Sequence, residues 1–142
     1  MINNIITPEL KVFDLKESLD FYINLSGFQV EYDRPENKFA MLSINGARLM
    51  LEELTNDSRA HNVGELKKPL GRGMHFQIMV EDVQGLYDNF KNNSYPIFID
   101  MEEKWYRVNN EEKGHKQFRV QDPDGYQIRF CQNLGIRDIK NA

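Results

Sequence analysis

Hydrophobic and polar positions alternate along two stretches of this chain in the same way, and the two stretches are a fixed distance apart. Leu10–Tyr22 (LKVFDLKESLDFY) matches Ile78–Phe90 (IMVEDVQGLYDNF). Val12 aligns with Val80, Asp14 with Asp82, Leu15 with Val83 and Tyr22 with Phe90, each pair 68 positions apart. Each stretch opens with period-two alternation, the mark of a strand with one buried face. An aspartate follows, placed to cap a helix by accepting from its first free N–H groups. Apolar residues then recur at helical spacing: Leu15, Leu19 and Tyr22 in one copy, Val83, Leu86 and Phe90 in the other.

The repeat continues into hairpins. Phe39–Ile44 and Ala47–Leu54 flank Asn45-Gly46, a pair that tolerates positive φ at both turn positions. In the second copy, Gln117–Gln121 and Tyr126–Phe130 flank Asp122-Pro123-Asp124-Gly125. The two turn glycines, Gly46 and Gly125, are 79 positions apart, so the second copy carries about 11 more residues. They are expected in a long charged loop over residues 101–116, which holds the only tryptophan. Further strands are expected at Phe28–Tyr32 and Pro96–Ile99.

The pattern predicts an α+β fold of two tandem βαβββ modules. Residues 1–56 form the first module, 57–73 a polar linker, 74–133 the second module and 134–142 a C-terminal tail. Neither module can cover its own sheet, so the two are expected to join in one curved mixed sheet, with helices outside and a concave cleft on the other face. Alternation sends Leu10, Val12, Leu49, Leu51, Ile128 and Phe130 under the helices. It turns Thr7, Glu9, Lys11, Arg48, Met50, Glu52, His75, Gln77, Gln127, Arg129 and Cys131 to the cleft. Phe39 and Met41 share a strand face that points the same way, with core packing as the alternative.

Composition narrows the function classes. Of 142 residues, 40% are hydrophobic and 28% charged, which suits a folded globular chain. A net charge of −4 without a basic stripe weighs against nucleic acid. No apolar run approaches the roughly 18 residues that would span a bilayer. MINNIITPEL lacks a secretory pattern, so a cytoplasmic location and no membrane partner are expected. Cys131, the single cysteine, has no internal disulfide partner and no neighbouring base to activate it. It is expected to be a small packed residue. No nucleophile–base pair and no phosphate loop stands out.

VFDLKESLDFYINLSGFQV, GARLMLEEL and DPDGYQIRF together resemble the vicinal oxygen chelate superfamily over about Ile5–Gln132. That group includes glyoxalase I, extradiol dioxygenases, fosfomycin resistance enzymes and bleomycin resistance proteins. The resemblance implies paired βαβββ modules, commonly in a homodimer. It also implies that the enzymes of the group hold a divalent ion with His, Gln or Glu from the first and last strands of each module. Those positions fall on Thr7, Met50, His75 and Arg129, of which only His75 is a plausible ligand. GARLMLE, the Thr7-Pro8 pair and an arginine after the DPDG turn resemble the bleomycin-resistance branch, which binds drug without metal or catalysis.

The expected function is therefore a metal-free, cofactor-free binding protein rather than an enzyme. It would sequester a bleomycin-like antibiotic or similar bulky small molecule at a dimer cleft. The alternative is a divalent-metal lyase or dioxygenase with ligands shifted to residues such as Glu52 or Glu9. Ligand contacts are expected from Phe39, Met41, Met50, Glu52, His75, Trp105, Tyr106, Arg107 and Arg129. Trp105, Tyr106 and Arg107 would stack on a planar guest from a flap, unless Trp105 instead anchors its loop to the sheet. Glu9, Lys11, Arg48, Glu52, Arg119 and Arg129 are expected to form a charge network. His61 and His115 are expected in solvated loops.

Overall fold

The structure, a computed structural model, describes residues 5–55 and 62–139. His61 lies outside the described residues. Contacts divide the chain into two compact units, Met1–Leu70 and Gly71–Ala142.

The first unit runs β1 (Glu9–Val12), α1 (Leu15–Leu19), a π-helical continuation (Asp20–Leu25), β2 (Gln29–Arg34), β3 (Phe39–Ile44) and β4 (Ala47–Glu53). The second runs β5 (His75–Met79), α2 (Val83–Asn92), β6 (Ile99–Val108), β7 (Glu111–Gln121) and β8 (Gln127–Asp138). Each unit is a four-stranded mixed sheet of one topology, β1-β4-β3-β2 and β5-β8-β7-β6, with the first pair parallel and the rest antiparallel. The α+β class and the duplication thus hold. Both second strands, β2 and β6, even carry a bulge, after Val30 and after Ile99.

The duplication reaches single hydrogen bonds. Asp14 accepts from Glu17 N at 3.2 Å, and Asp82 accepts from Gly85 N at 2.9 Å. The first helical N–H of each helix is also bound by a side chain of the last strand. Leu15 N donates to Glu53 Oε2 at 3.2 Å, and Val83 N to Gln132 Oε1 at 3.0 Å. Two of the four orphan N–H groups at each helix start are thereby satisfied. The π-helical turn lengthens the first helix by one residue. Phe28 N reaches back six positions to Tyr22 O, whereas Tyr95 N reaches back five to Phe90 O.

Leu10, Val12, Phe21, Tyr22, Leu42 and Leu51 are buried in the first unit, and Val83, Phe90, Phe118, Val120, Ile128 and Phe130 in the second. Asn45 and Gly46 both have positive φ, as their hairpin requires. Among the described residues no helix is long and apolar enough to cross a membrane.

Two expected boundaries are corrected. Residues 101–116 are no loop: they belong to β6 and β7, an extended hairpin closed by Asn109-Asn110, with Asn109 at φ 56°. The extra residues of the second copy lengthen two paired strands, which satisfies their backbone groups as a loop would not. The expected tail beyond residue 133 is likewise strand to Asp138, because it pairs with the lengthened β7.

Candidate functional site

In the first unit, Glu9, Met50 and Met41 lie on one rung of the sheet, and Lys11, Glu52 and Phe39 on the next rung of that face. Lys11 Nζ is 3.3 Å from Glu9 and closer still to Glu52. Burial works against the Lys11 ammonium, but hydrogen bonds to Glu52 and Glu9 outweigh it and raise its pKa. Glu52 is thus engaged internally. Phe39 and Met41 are buried, with the Arg34 guanidinium 4.1 Å above the Phe39 ring. Arg48 stays outside the Lys11 cluster, pairing with Glu31 at 2.7 Å.

The polar face of the second unit is unlike it. Gln77, Arg129 and Arg119 are consecutive partners across β5, β8 and β7. Directly opposed residues have Cβ atoms about 5 Å apart, so the two arginines face each other as like charges. Both are held by neutral amides: Arg129 donates to Gln77 Oε1, and Arg119 to Gln127 Oε1 at 2.5 Å. Among the described residues neither has a carboxylate partner, and the buried Nε of each has no hydrogen-bond acceptor. The expected six-residue charge network falls into three groups: Lys11 with Glu9 and Glu52, Arg48 with Glu31 across β3, and the amide-held Arg119 and Arg129.

Next to the arginines lies a polar cluster. Gln117, buried, donates to Glu102 Oε1 at 3.0 Å and to the Tyr106 hydroxyl at 2.7 Å. Cys131 Sγ donates to Gln117 Oε1 at 3.6 Å. Burial raises the Cys131 thiol pKa despite Arg129 and Arg119 nearby, which keeps it an unreactive packed thiol. His115 lies in β7 and is half-buried, not in a solvated loop. Its pKa is lowered by burial, then by the charges of Arg129 and Lys113. His75 is also lowered, by partial burial, then by Arg119 and Arg129. Arg129→Gln is expected to move the His75 pKa back up, as an NMR titration of its ring protons would show; an unmoved or lower value contradicts this placement.

Alternation along β6 separates the three residues expected to act as a flap. Tyr106 shares the face of Gln117, whereas Trp105 and Arg107 point to the opposite face. Trp105 covers Gly114, with the Arg137 guanidinium 4.0 Å from its ring centroid. A Cβ on Gly114 would meet the indole at 2.7 Å. Arg107 donates to Asn109 O at 3.1 Å, bracing the turn. Trp105 therefore anchors the hairpin, the other reading its sequence context allowed. Gln77 was expected on this face and Arg119 in the charge network; Gln117 is the residue of the cluster that went unread, and the signal was its even spacing from Arg119 and His115. A separate pocket of about 420 Å³ lies between Tyr95–Phe98 and Gln121–Pro123. Its Asp122 carboxylate is committed to the turn it caps.

Residues 4–130 match the model of the glyoxalase/bleomycin resistance protein/dioxygenase superfamily. The chain belongs to this superfamily. Among solved structures, it is 37% identical to a superfamily member from Vibrio splendidus 12B01, with 87% of this chain and 94% of that one covered and a TM-score of 0.41. TioX from Micromonospora sp. ML1 has the same fold at 19% identity, 91% and 98% coverage and a TM-score of 0.67. Lactoylglutathione lyase from Agrobacterium tumefaciens does so at 18% identity, 90% and 92% coverage and a TM-score of 0.60. No curated protein matches the sequence.

The positions at which the resemblance implies metal ligands are Thr7, Met50, His75 and Arg129. Thr7 and Met50 in the first unit offer a hydroxyl and a thioether, and His75 and Arg129 in the second an imidazole and a guanidinium, so only the imidazole is an ordinary ligand for a divalent ion, which takes three or more N, O or S donors. Arg129 adds a fixed positive charge at a ligand position. Shifting the ligands to Glu52 or Glu9 fails because Lys11 already binds both. Among the described residues no three His, Cys, Asp or Glu side chains cluster to hold a metal. The residues present do not fit the ion.

Proposed function

We propose that this superfamily member binds a small molecule without metal and without transforming it, as the bleomycin-resistance branch does. The observation that carries this reading is Arg129 at a metal-ligand position, with its guanidinium beside Arg119 rather than beside a carboxylate. Sequestration needs affinity alone, and this face offers hydrogen-bond donors and an aromatic hydroxyl for it. The protein is expected to act as a homodimer, with sedimentation at twice the mass of the chain.

Two measurements on the full chain test the reading. Elemental analysis of protein purified without chelators is expected to find metal far below one ion per chain. Near-stoichiometric zinc, iron, nickel or manganese overturns the proposal in favour of a lyase or dioxygenase. Calorimetric titration with metal-free bleomycin is the first probe of the guest; no heat and no competition at high micromolar concentration rules out that drug.

A further inference from the structure

Like charges placed directly opposite on a sheet are destabilising. Arg119 and Arg129 are such a pair, and amide oxygens are the acceptors that hold them. Each keeps a buried Nε without an acceptor, which is a cost in desolvation. Arg129 also lies 5.9 Å from the Tyr106 ring centroid, next to a hydroxyl already oriented by Gln117. A sheet face that sets two arginines directly opposite each other, with neutral amides and no carboxylate as their partners, is arranged for a group that brings negative charge.

We infer that Arg119 and Arg129, with His75 on the outer strand β5 of the same sheet, form a site for an oxyanion, carboxylate or phosphoryl, on the guest. Guanidinium forks match the geometry of both groups and bind them with two parallel N–H···O bonds. Burial and the neighbouring cations lower the pKa of both histidines near the arginines, which favours their neutral forms, so the fixed positive charge here is that of the arginines. Among the described residues Glu102 accepts from Gln117 and forms no ion pair with either arginine. In the first unit, by contrast, Lys11 is matched by Glu9 and Glu52 and leaves no comparable excess. The inference deepens the binding reading by naming the chemical class of the guest.

The test uses the isotope-labelled full chain. Inorganic phosphate and succinate are titrated separately, with chloride at the same ionic strength as the control. Side-chain Nε–H signals of Arg119 and Arg129 and ring signals of His75 are followed by NMR. A saturable shift with phosphate alone assigns a phosphoryl group, with succinate alone a carboxylate, and with both a general oxyanion site. Arg119→Gln and Arg129→Gln should each weaken that binding by on the order of tenfold. Arg129→Lys, which keeps charge but loses the fork, should fall between. If one glutamine variant fails to fold, the other and the lysine variant carry the comparison. No saturable shift with either anion, or affinities unchanged in the variants, overturns the inference. Its failure beside intact drug binding would leave the metal-free reading standing. Stoichiometric metal beside intact oxyanion binding would sink that reading instead.

Discussion

Phe90→Ala is expected to cost the second unit about 3–5 kcal/mol, the usual range for truncating a buried phenylalanine. Phe90 is fully buried on α2, with the rings of Tyr95, Phe118 and Phe130 at 5.5, 5.8 and 5.9 Å. Phe118 and Phe130 are themselves cross-strand partners in β7 and β8. They cannot slide into the vacancy without breaking the ladder, so the cavity stays open and the cost sits high in the range. The consequence reaches the polar face, because Arg119 and Arg129 are the next residues along the same two strands. Tyr22, 68 positions earlier in the repeat, is the counterpart in the first unit, edge-on to Phe21 at 4.8 Å and to Phe28 at 5.4 Å. Tyr22→Ala should cost a similar amount there. Urea unfolding of both variants checks this; a loss below about 1 kcal/mol in Phe90→Ala would mean that the aromatic cluster does not hold α2 to its sheet.

The second large effect is Asp122→Ala, with an expected loss of about 3 kcal/mol. Asp122 is 4% exposed, and its Oδ1 accepts from Asp124 N and Tyr126 N, both at 2.9 Å. Hydrogen bonds to a charged acceptor contribute about 1.5–3 kcal/mol each, and alanine would orphan both donors at once. The same turn closes through Gly125 N to Asp122 O at 3.0 Å, with Gly125 at φ 86°. Asp122→Asn keeps an acceptor oxygen in place and should recover more than half of the loss. Equal destabilisation by alanine and asparagine in thermal unfolding would show that the charge, and not the two hydrogen bonds, is what the turn requires.

Much of the fold was legible along the chain, and each legible part has a local cause. Period-two and helical spacing, Asp14 and Asp82 as caps, and Asn45-Gly46 and Asp122–Gly125 as turns all act between residues a few positions apart. The error over residues 101–116 had a local cause as well. Charges on both faces of the stretch hid its alternation, while Asn109-Asn110 between Trp105–Val108 and Glu111–Lys113 was the turn signal that would have revealed the hairpin. Of the site, His75 and Arg129 were within reach of the repeat, whereas Tyr106 stood out only as an aromatic residue of the inserted stretch.

What the sequence determined by itself is the duplicated βαβββ plan and its caps, because these depend on period and on neighbours. What only the tertiary structure decided is which charges meet. Lys11 takes Glu52 from 41 positions away, while Arg119 and Arg129 are set face to face with only amides to hold them. Trp105 and Tyr106, adjacent in the chain, part to opposite faces. The physical reason is register. A shift of one residue in a strand pair exchanges its two faces, and the bulges and turns that set the register act across the sheet rather than along the chain.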